Sequence, residues 1–367
     1  MQPMTPKERL VTALKRQKAD HLPATTHHLM PYFLNKYMGG IDNLAFFQEM
    51  GLNPIVWLNA DKYRPEDLEN WRITSVDDHS GQYPATHYTI ETPGGSLSLT
   101  LEYSETTCWL TEHLIKEKKD IELLAKYMPS PYVDVEQANR TADEYPEYLI
   151  RGAVFSGDIF GQPGCWQQAC CLYGVEKMIM ECYDDPQWVH ELLAIVQKPK
   201  INQMRSSKGA RFDLFELGGG DASTTVISPK IFNEFVAPYD SQIIAAAHEA
   251  GQRIVYHTCG GMMPILEDIA AMGTDAMETF TPPGMGGDTD LAEAKRRIGD
   301  KVCMIGGLDQ QHFFQGCTPE DTRREVRRCF EAAGEGGGFI LSPSDHFFDA
   351  DPALIRAFAE EAARCVY

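Results

Sequence analysis

The segment RIVYHTCGGMMPILEDIAAMGTDAMETF, residues 253–280, decides the fold. It holds two short apolar runs, 253–258 and 274–280, with a helical pattern between them. Continuous apolar runs, as opposed to alternating ones, are typical of parallel strands buried on both faces. A strand, a helix and a second strand make the repeating unit of an α/β fold. This segment therefore predicts a parallel sheet covered by helices.

The same alternation extends outward in both directions. Further strand candidates are LPATTHH at 22–28, PIVWLN at 54–59, LIRGAVFS at 149–156, DLFEL at 213–217, KVCMIGGL at 301–308 and GFILSP at 338–343. Helix starts are marked by an N-cap residue before a proline, at Thr5, Asp185, Ser228, Thr318 and Asp351. Eight strands, most of them followed by a helix, predict a closed (β/α)8 TIM barrel. An open doubly wound sheet would need a glycine fingerprint after its first strand, and the sequence has none there.

One stretch departs from the strand–helix alternation. Residues 86–103, THYTIETPGGSLSLTLEY, alternate around Pro93, Gly94 and Gly95, which predicts a β-hairpin. We interpret residues 60–148 as an insertion after the second barrel strand that covers one side of the barrel mouth. Because there is no short-period repeat and no low-complexity linker, residues 1–367 are predicted to form one domain.

The charge and the cysteine content limit the possible partners and the compartment. The formal net charge of −20 repels phosphate backbones and anionic lipid, so no nucleic-acid or membrane partner is expected. No segment approaches the roughly 18 uninterrupted apolar residues that a membrane span requires. The N-terminal MQPMTPKERLVTALKRQ has no apolar signal-peptide region, and ten cysteines are too sparse for a disulfide scaffold. We therefore expect a cytoplasmic protein with reduced thiols.

Ionisable side chains gather where the predicted barrel strands end. Catalytic groups of TIM barrels project from the C-terminal ends of the strands and the loops that follow. The residues at these positions are Glu216, Asp221, His257, Cys259, Glu278, Asp309, His312, Asp345 and His346. A barrel with a purely structural role has no need of such groups at one end, so the sequence predicts an enzyme.

His257 and Cys259 form the sharpest candidate metal site. Residues two apart in extended backbone point to the same side, so an imidazole and a thiolate can face one ion, and both suit zinc. A buried histidine beside a core cysteine is the structural alternative. A third ligand could come from Asp345 or His346 after the eighth strand, or less readily from Glu278.

Other residues are candidates for binding the substrate. Glu216 and Asp221 are interpreted as a general base and a substrate anchor, or else as loop caps on the glycines nearby. Asp309 and His312 are expected at the mouth. Most aromatic side chains are core, but some near strand ends could line a pocket for a flat substrate. These are Trp57, Tyr63, Trp109, Tyr256, Phe313, Phe347 and Phe348.

Nearly the full length resembles the uroporphyrinogen decarboxylase superfamily, and within it the corrinoid-linked methyltransferase branch. The resemblance rests on MTPKERLVTALKRQKADHLP at 4–23, ISPKIFNEFVAPY at 227–239, HTCGGMMPILEDIAAMG at 257–273, KVCMIGGLDQ at 301–310 and GGFILSPSDHFFDADPALIRAF at 337–358. Methyltransferases of this branch bind zinc through an H-x-C pair, here His257 and Cys259, and a later cysteine. That cysteine follows a motif like ILSPG, and this chain reads ILSPSD, with Asp345 in its place.

The resemblance implies a zinc-dependent methyltransferase working with a corrinoid protein. Zinc bound by one thiolate and one carboxylate is a stronger Lewis acid than zinc bound by two thiolates, which suits an aromatic methyl ether as donor and argues against coenzyme M-type activation. Glu216 would be the acid/base or substrate-orienting group, with Glu278 and His346 as further catalytic or ligand candidates.

Two other functions stay open at this stage, a decarboxylase of a tetrapyrrole or other acid, and a non-catalytic corrinoid-binding protein. The decarboxylases have an N-terminal arginine pattern that is missing here, and Asp61 matches their aspartate only loosely by position. A homodimer is compatible with every one of these readings.

Overall fold

A curled parallel sheet forms the centre of the computed structural model, which describes residues 3–26, 28–155 and 159–367. The strands are β1 Ile55–Trp57, β2 Asp61–Lys62, β3 Arg72–Asp78, β4 Ala85–Thr92, β5 Gly95–Tyr103, β6 Cys108–Glu112, β7 Tyr132–Val133, β8 Leu149–Ala153, β9 Leu214–Gly218, β10 Ile254–His257, β11 Ala276–Thr279, β12 Cys303–Leu308 and β13 Phe339–Pro343. Seven of them pair in parallel in the order β1-β8-β9-β10-β11-β12-β13.

Helices connect these strands and cover the sheet. They are α1 Pro6–Leu14, α2 Pro31–Tyr37, α3 Asn43–Met50, α4 Pro65–Glu69, α5 Ile121–Tyr127, α6 Val135–Glu144, α7 Cys165–Tyr173, α8 Val175–Asp184, α9 Pro186–Ser206, α10 Pro229–Ile231, α11 Ala237–Glu249, α12 Leu266–Ala271, α13 Leu291–Ile298, α14 Gln310–Phe313, α15 Pro319–Ala333 and α16 Pro352–Arg364. A π-helical turn over Phe232–Val236 joins α10 to α11.

The N-terminal segment closes the sheet into a barrel. Ala24 forms a parallel bridge with Leu341 of β13, and the Leu341 amide donates to Pro23 at 2.8 Å. On the other side, the Asn53 amide donates to the Ala24 carbonyl at 2.8 Å just before β1. The TIM-barrel prediction is therefore confirmed. Residues 23–25 take the place of the eighth barrel strand.

This closing strand is much shorter than the predicted 22–28. Proline at position 23 cannot donate to a ladder, and the side chain of Asn53 supplies part of the pairing by accepting from the Ala24 amide at 3.1 Å. Thr25 adds a hydroxyl bond to the Asn53 carbonyl at 2.8 Å. His27 lies outside the described residues, as does Ser156 at the end of the predicted strand 149–156.

The other predicted barrel strands occur within a few residues of their expected bounds. Every residue of β9 to β13 is buried, as continuous apolar runs require. The predicted N-caps are confirmed as well, since the side chains of Thr5, Asp185, Ser228, Thr318 and Asp351 each accept a bond from a first-turn amide.

The predicted hairpin lies in the insertion between β1 and β8. Strands β4 and β5 pair antiparallel around the turn at Pro93 and Gly94, where the Thr92 hydroxyl donates to the Gly95 carbonyl at 2.8 Å. Strands β3 and β6 extend the hairpin to a four-stranded sheet, and β2 pairs with β7 where the insertion begins and ends.

All ten cysteines are unpaired, as predicted. Among the residues that the structure describes, none of the helices combines the length and apolar character that crossing a membrane requires.

Candidate functional site

A buried ion-pair network spans the inside of the barrel. Arg151 on β8 is 1% exposed, and its Nη2 donates to Glu216 Oε2 on β9 at 2.6 Å. Its Nη1 donates to Glu278 Oε2 on β11 at 2.9 Å, and Nη2 also contacts Glu278 Oε1. Burial opposes the charged guanidinium, but the two carboxylates outweigh it and raise the pKa of Arg151. One guanidinium thus holds two carboxylates together inside the barrel.

His257 joins this network from β10. Its Nδ1 lies 2.9 Å from Glu278 Oε1, and the two residues are register partners in adjacent strands. Burial would lower the pKa of His257, but hydrogen bonds with Cys259 and Glu278 and the charge of Glu216 raise it well above its usual range. Cys259 therefore contributes to the electrostatic environment of the His257 imidazole, and a metal ion shared by the two side chains stays a prediction.

Three rings stack at the barrel mouth. His28 lies parallel to Trp57, with centroids 4.4 Å apart, and its other face lies 5.0 Å from the ring of His346. Trp57 also covers Arg151, whose guanidinium carbon is 4.6 Å from the ring centroid. Burial lowers the pKa of His28 to about 4, so this ring is neutral at pH 7. Its Nε2 is 3.9 Å from Glu216 Oε2.

A pocket opens beside this stack and reaches the network. Its volume is about 430 Å³, and Glu216 is the acidic residue in its wall. The other lining residues are His28, Trp57, Leu58, Asn59, Ala153, Phe155, Gly161, Gln162 and Pro163. Among the residues that the structure describes, the wall therefore holds the rings of His28, Trp57 and Phe155 and one carboxylate, that of Glu216.

Asp345 and His346 follow β13 at the same end of the barrel. Asp345 Oδ1 accepts from the His346 amide at 2.7 Å and lies 2.8 Å from His346 Nδ1. Burial would raise the pKa of Asp345, but the hydrogen bond and charge of His346 and the charge of His257 lower it below its usual range. Asp345 is thus an anion within electrostatic reach of His257.

Metal-ligating atoms come closest together in the network. Within the described part of the chain, one group of three ligand-type residues, Glu216, His257 and Glu278, has its ligand atoms within 4.8 Å of one another. Arg151 already binds both of these carboxylates, so an ion there would have to displace a guanidinium. Cys259 and Asp345, which the sequence pointed to as ligands with His257, are not in that group.

Two predicted pocket residues, Tyr256 and Phe347, are buried in packed parts of the fold. Tyr256 is fully buried and its hydroxyl donates to Asp240 on α11 at 3.2 Å. Because Tyr256 precedes His257 in an extended strand, it has to point to the opposite face, out towards the helices. Phe347 is 4% exposed and packs edge-to-face on Phe33 and Phe314 in an aromatic cluster.

Two predicted acids are engaged in loops. Asp221 Oδ2 accepts from Gln167 Nε2 at 2.8 Å, and burial raises the pKa of this carboxyl. Asp309 caps α14 and lies 2.8 Å from His312 Nδ1, which makes the two residues a pair beside the mouth. Neither acid joins the network around Arg151.

Arg151 and His28 were missed by sequence reasoning. A single arginine inside the apolar run 149–154 was the available signal, because a buried charge needs a partner. Nothing local identifies its partners, since Glu278 is 127 residues away along the chain. Asp61 is also placed near this end, where Gln203 donates to both its oxygens at 2.8 Å and burial raises its pKa to about 6.

A family model described as uroporphyrinogen decarboxylase (URO-D) matches residues 90–365. A uroporphyrinogen decarboxylase of Psychromonas ingrahamii is 30% identical over 241 residues, covering 61% of this chain and 62% of that protein. The enzyme of the same name from Chlorobaculum parvum is 27% identical over 193 residues, covering 51% and 52%. The match thus spans only about half to three fifths of the length of these curated relatives.

Solved structures share the fold over nearly the whole chain. A methyltransferase from Methanosarcina mazei superposes with a TM-score of 0.67, covering 98% of this chain and 99% of that one at 16% identity. A B12-independent methionine synthase from Shewanella gives a TM-score of 0.50 at 10% identity, with 94% of each chain covered. At these identities the likeness extends to the fold alone.

Proposed function

This chain belongs to the uroporphyrinogen decarboxylase family, and we propose that it is a zinc-dependent methyltransferase acting between a small methylated substrate and a corrinoid protein. The observation that supports the proposal is the position of His257 at the end of β10, two residues before Cys259, with its Nδ1 2.9 Å from Glu278 Oε1. In zinc sites a carboxylate commonly accepts the second ring N–H of the ligating histidine and fixes its tautomer. Glu278 stands in that relation to His257, so coordination would use Nε2.

The side-chain chemistry of His257, Cys259 and Asp345 fits zinc, and their ligand atoms would have to move closer together to bind one ion. Imidazole, thiolate and carboxylate are all zinc ligands, and Cys259 and the anionic Asp345 would complete three protein ligands with one position open. Zinc there would supply a Lewis acid able to polarise an ether oxygen or to bind an acceptor thiol as thiolate. The Glu216–His257–Glu278 group is the alternative ligand set, and it would require Arg151 to move.

The remaining residues have roles in binding and orientation. Trp57 and His28 line the pocket and would help to exclude water from it, while their stacked faces are occupied by Arg151, by one another and by His346. Glu216 lines the pocket while held by Arg151, so its carboxylate is placed to orient a substrate or accept a proton. A corrinoid protein would have to approach the open end of the barrel.

A decarboxylase of a tetrapyrrole is the second candidate, because the curated relatives carry that name. Such a substrate bears several carboxylates and needs cationic side chains in its pocket. No lysine or arginine is found among the described lining residues, and the charged side chain in the wall is the acid Glu216. This composition favours methyl transfer.

Metal content tests the proposal. Protein purified without a tag should contain about one zinc per chain by plasma mass spectrometry, and His257→Ala, Cys259→Ala and Asp345→Ala should each lose it. Glu331→Ala is the control, since Glu331 is exposed on α15 away from the site and its loss should leave zinc unchanged. Loss in Glu216→Gln but not in Asp345→Ala would assign the alternative ligand set. A folded wild type that stays metal-free in excess zinc contradicts the proposal.

A further inference from the structure

Two consecutive residues after Glu278 have backbone angles that side-chain-bearing residues rarely adopt. Thr279 has a φ of 144° and Phe280 has a φ of 52°, and both residues are buried. A positive φ is unfavourable for a residue with a Cβ, and most of all for a β-branched one such as threonine. Such conformations persist only where the surroundings hold them, and they concentrate at functional sites. The contacts of this turn therefore indicate what it is for.

Hydroxyl groups of the turn bond to the backbone on either side of Cys259. Thr279 Oγ1 donates to the Thr258 carbonyl at 2.9 Å, and Thr281 Oγ1 accepts from the Gly260 amide at 3.2 Å. We propose that Thr279 and Thr281 are positioning residues, which hold the backbone around Cys259 in place for the proposed metal site. This inference rests on the proposed function only for the metal.

The two threonines form one directed chain of hydrogen bonds. Their hydroxyl oxygens are 3.2 Å apart. A hydroxyl has one proton to donate, and the proton of Thr279 goes to the Thr258 carbonyl, so the proton between the two oxygens comes from Thr281. The chain thus runs from the Gly260 amide through both hydroxyls to the Thr258 carbonyl. Because Thr279 is 1% and Thr281 is 3% exposed, water does not readily replace these bonds.

Glycines allow neighbouring segments to approach the turn closely. Thr279 pairs with Gly306 on β12, and a side chain at Gly306 would overlap the Thr279 carbonyl. A side chain at Gly287 would likewise overlap the carbonyl of Thr281, which accepts from the Thr289 amide at 3.1 Å. The strained turn is therefore held by the segments on its far side, and it can hold the Cys259 segment in turn.

The loop after β9 holds the other side of the Cys259 segment. A Cβ at Gly220 would lie 2.8 Å from Cys259 Sγ, so the thiol packs directly against this glycine. The Gly261 amide donates to Thr225 Oγ1 at 2.7 Å, and the Gly261 carbonyl accepts from the Thr224 amide at 2.8 Å. Since these contacts survive the loss of a threonine hydroxyl after β11, we expect a loosened segment with a folded barrel around it.

Four single variants of the full-length chain separate positioning from general stability. Thr279→Val and Thr281→Val remove one hydroxyl each with little change of shape, and Thr279→Ser keeps the hydroxyl. Thr274→Val is the matched control, because Thr274 lies just before the other end of β11 and is 4% exposed. Its hydroxyl donates to the Ile254 carbonyl of β10 at 3.0 Å, so it bridges the same two strands away from Cys259.

Amide hydrogen exchange of the metal-free proteins tests the contact itself. Exchange of the segment 257–262 should accelerate about tenfold in Thr279→Val and in Thr281→Val, because a buried carbonyl or amide loses its partner. Thr279→Ser and Thr274→Val should exchange this segment at the wild-type rate. Equal acceleration in Thr274→Val and Thr279→Val would mean that the hydroxyls affect only general stability, and it overturns the inference.

Zinc affinity, measured by competition with a chromophoric chelator, tests the consequence for the site. Groups that support metal ligands typically contribute about 10–100-fold to metal affinity, so Thr279→Val and Thr281→Val should bind zinc about tenfold more weakly. Thr279→Ser and Thr274→Val should bind it as wild type does. Wild-type affinity in Thr279→Val overturns this inference and leaves the methyltransferase proposal standing. A wild type that binds no zinc contradicts the methyltransferase proposal, and hydrogen exchange alone then decides whether the threonines hold the segment.

Discussion

At the scale of single residues, Arg151 decides how the inside of the barrel is arranged. It bonds Glu216 and Glu278 and lies under Trp57, so it connects three barrel strands with the mouth. Removing one partner of a buried ion pair is more damaging than replacing the whole group, because uncompensated charge stays behind. Arg151 therefore has a large structural role, although the site predicted from the sequence did not include it.

Arg151→Met should lower the free energy of unfolding by about 3–5 kcal/mol, because two buried carboxylates lose their cation. Combining it with Glu216→Gln and Glu278→Gln should restore much of that loss, since no unpaired charge remains. Denaturant unfolding followed by circular dichroism measures both changes. As a control, Arg211→Met breaks an exposed pair with Asp143 and should cost under about 1 kcal/mol. Equal losses for Arg151→Met and the triple variant would contradict this account.

Asp61 gives the stability a pH dependence of known sign. Its folded pKa of about 6 lies above the ordinary 3.8, so between these values the folded state holds a proton that the unfolded state has released. Stability then falls as pH rises from about 4 to about 6. Relative to Asp61→Asn, wild type should lose about 1–3 kcal/mol over this range, measured by urea unfolding at several pH values. If the difference in unfolding free energy between wild type and Asp61→Asn stays constant over this pH range, the raised pKa of Asp61 is ruled out.

At the scale of elements, the weakest part of the barrel is its closing strand. Residues 23–25 are held by bonds to Leu341 on one side and by the backbone and side chain of Asn53 on the other. On either side of it, β1 pairs with β8 over three residues and β13 pairs with β12 over five residues. Local opening is therefore expected to begin here.

Asn53→Ala should cost about 1–3 kcal/mol, because it leaves the buried Ala24 amide without its acceptor. Hydrogen exchange should accelerate at Ala24, Thr25 and Leu341 more than at β10 amides. Asn59→Ala is the matched control, as Asn59 caps the exposed Asp61 amide and should change exchange only locally. Uniform acceleration over all barrel strands would mean that the closing strand opens only with global unfolding.

Local signals explain which elements were predictable from sequence. Continuous apolar runs indicated the barrel strands, and an N-cap before proline marked helix starts at Thr318 and Asp351, because both depend on residues close together in sequence. The closing strand was predicted too long because its pairing depends on Asn53, a side chain distant in sequence. The orientation of Tyr256 could have been predicted from its neighbour, since adjacent strand residues alternate sides.

At the scale of the whole molecule, three of the predicted site residues lie together, and their role as a functional site stays a prediction. His257, Glu216 and Glu278 come together at one end of the barrel as strand order required. The ion pairs of Arg151 and the stacking of His28 on Trp57 join parts of the chain that only tertiary folding brings together. Pattern and spacing carry no information about such partners, so the ligand set and the one-domain organisation stay predictions.

The closing strand also has a consequence for folding during synthesis. Residues 23–25 bond to Leu341, which is more than 300 residues later along the chain. At the mouth, His28 stacks on His346, which is synthesised long after it. A nascent chain on the ribosome thus carries Trp57, Arg151 and His257 before this mouth can form. The mouth would be completed only when residues beyond 340 emerge and join the N-terminal segment.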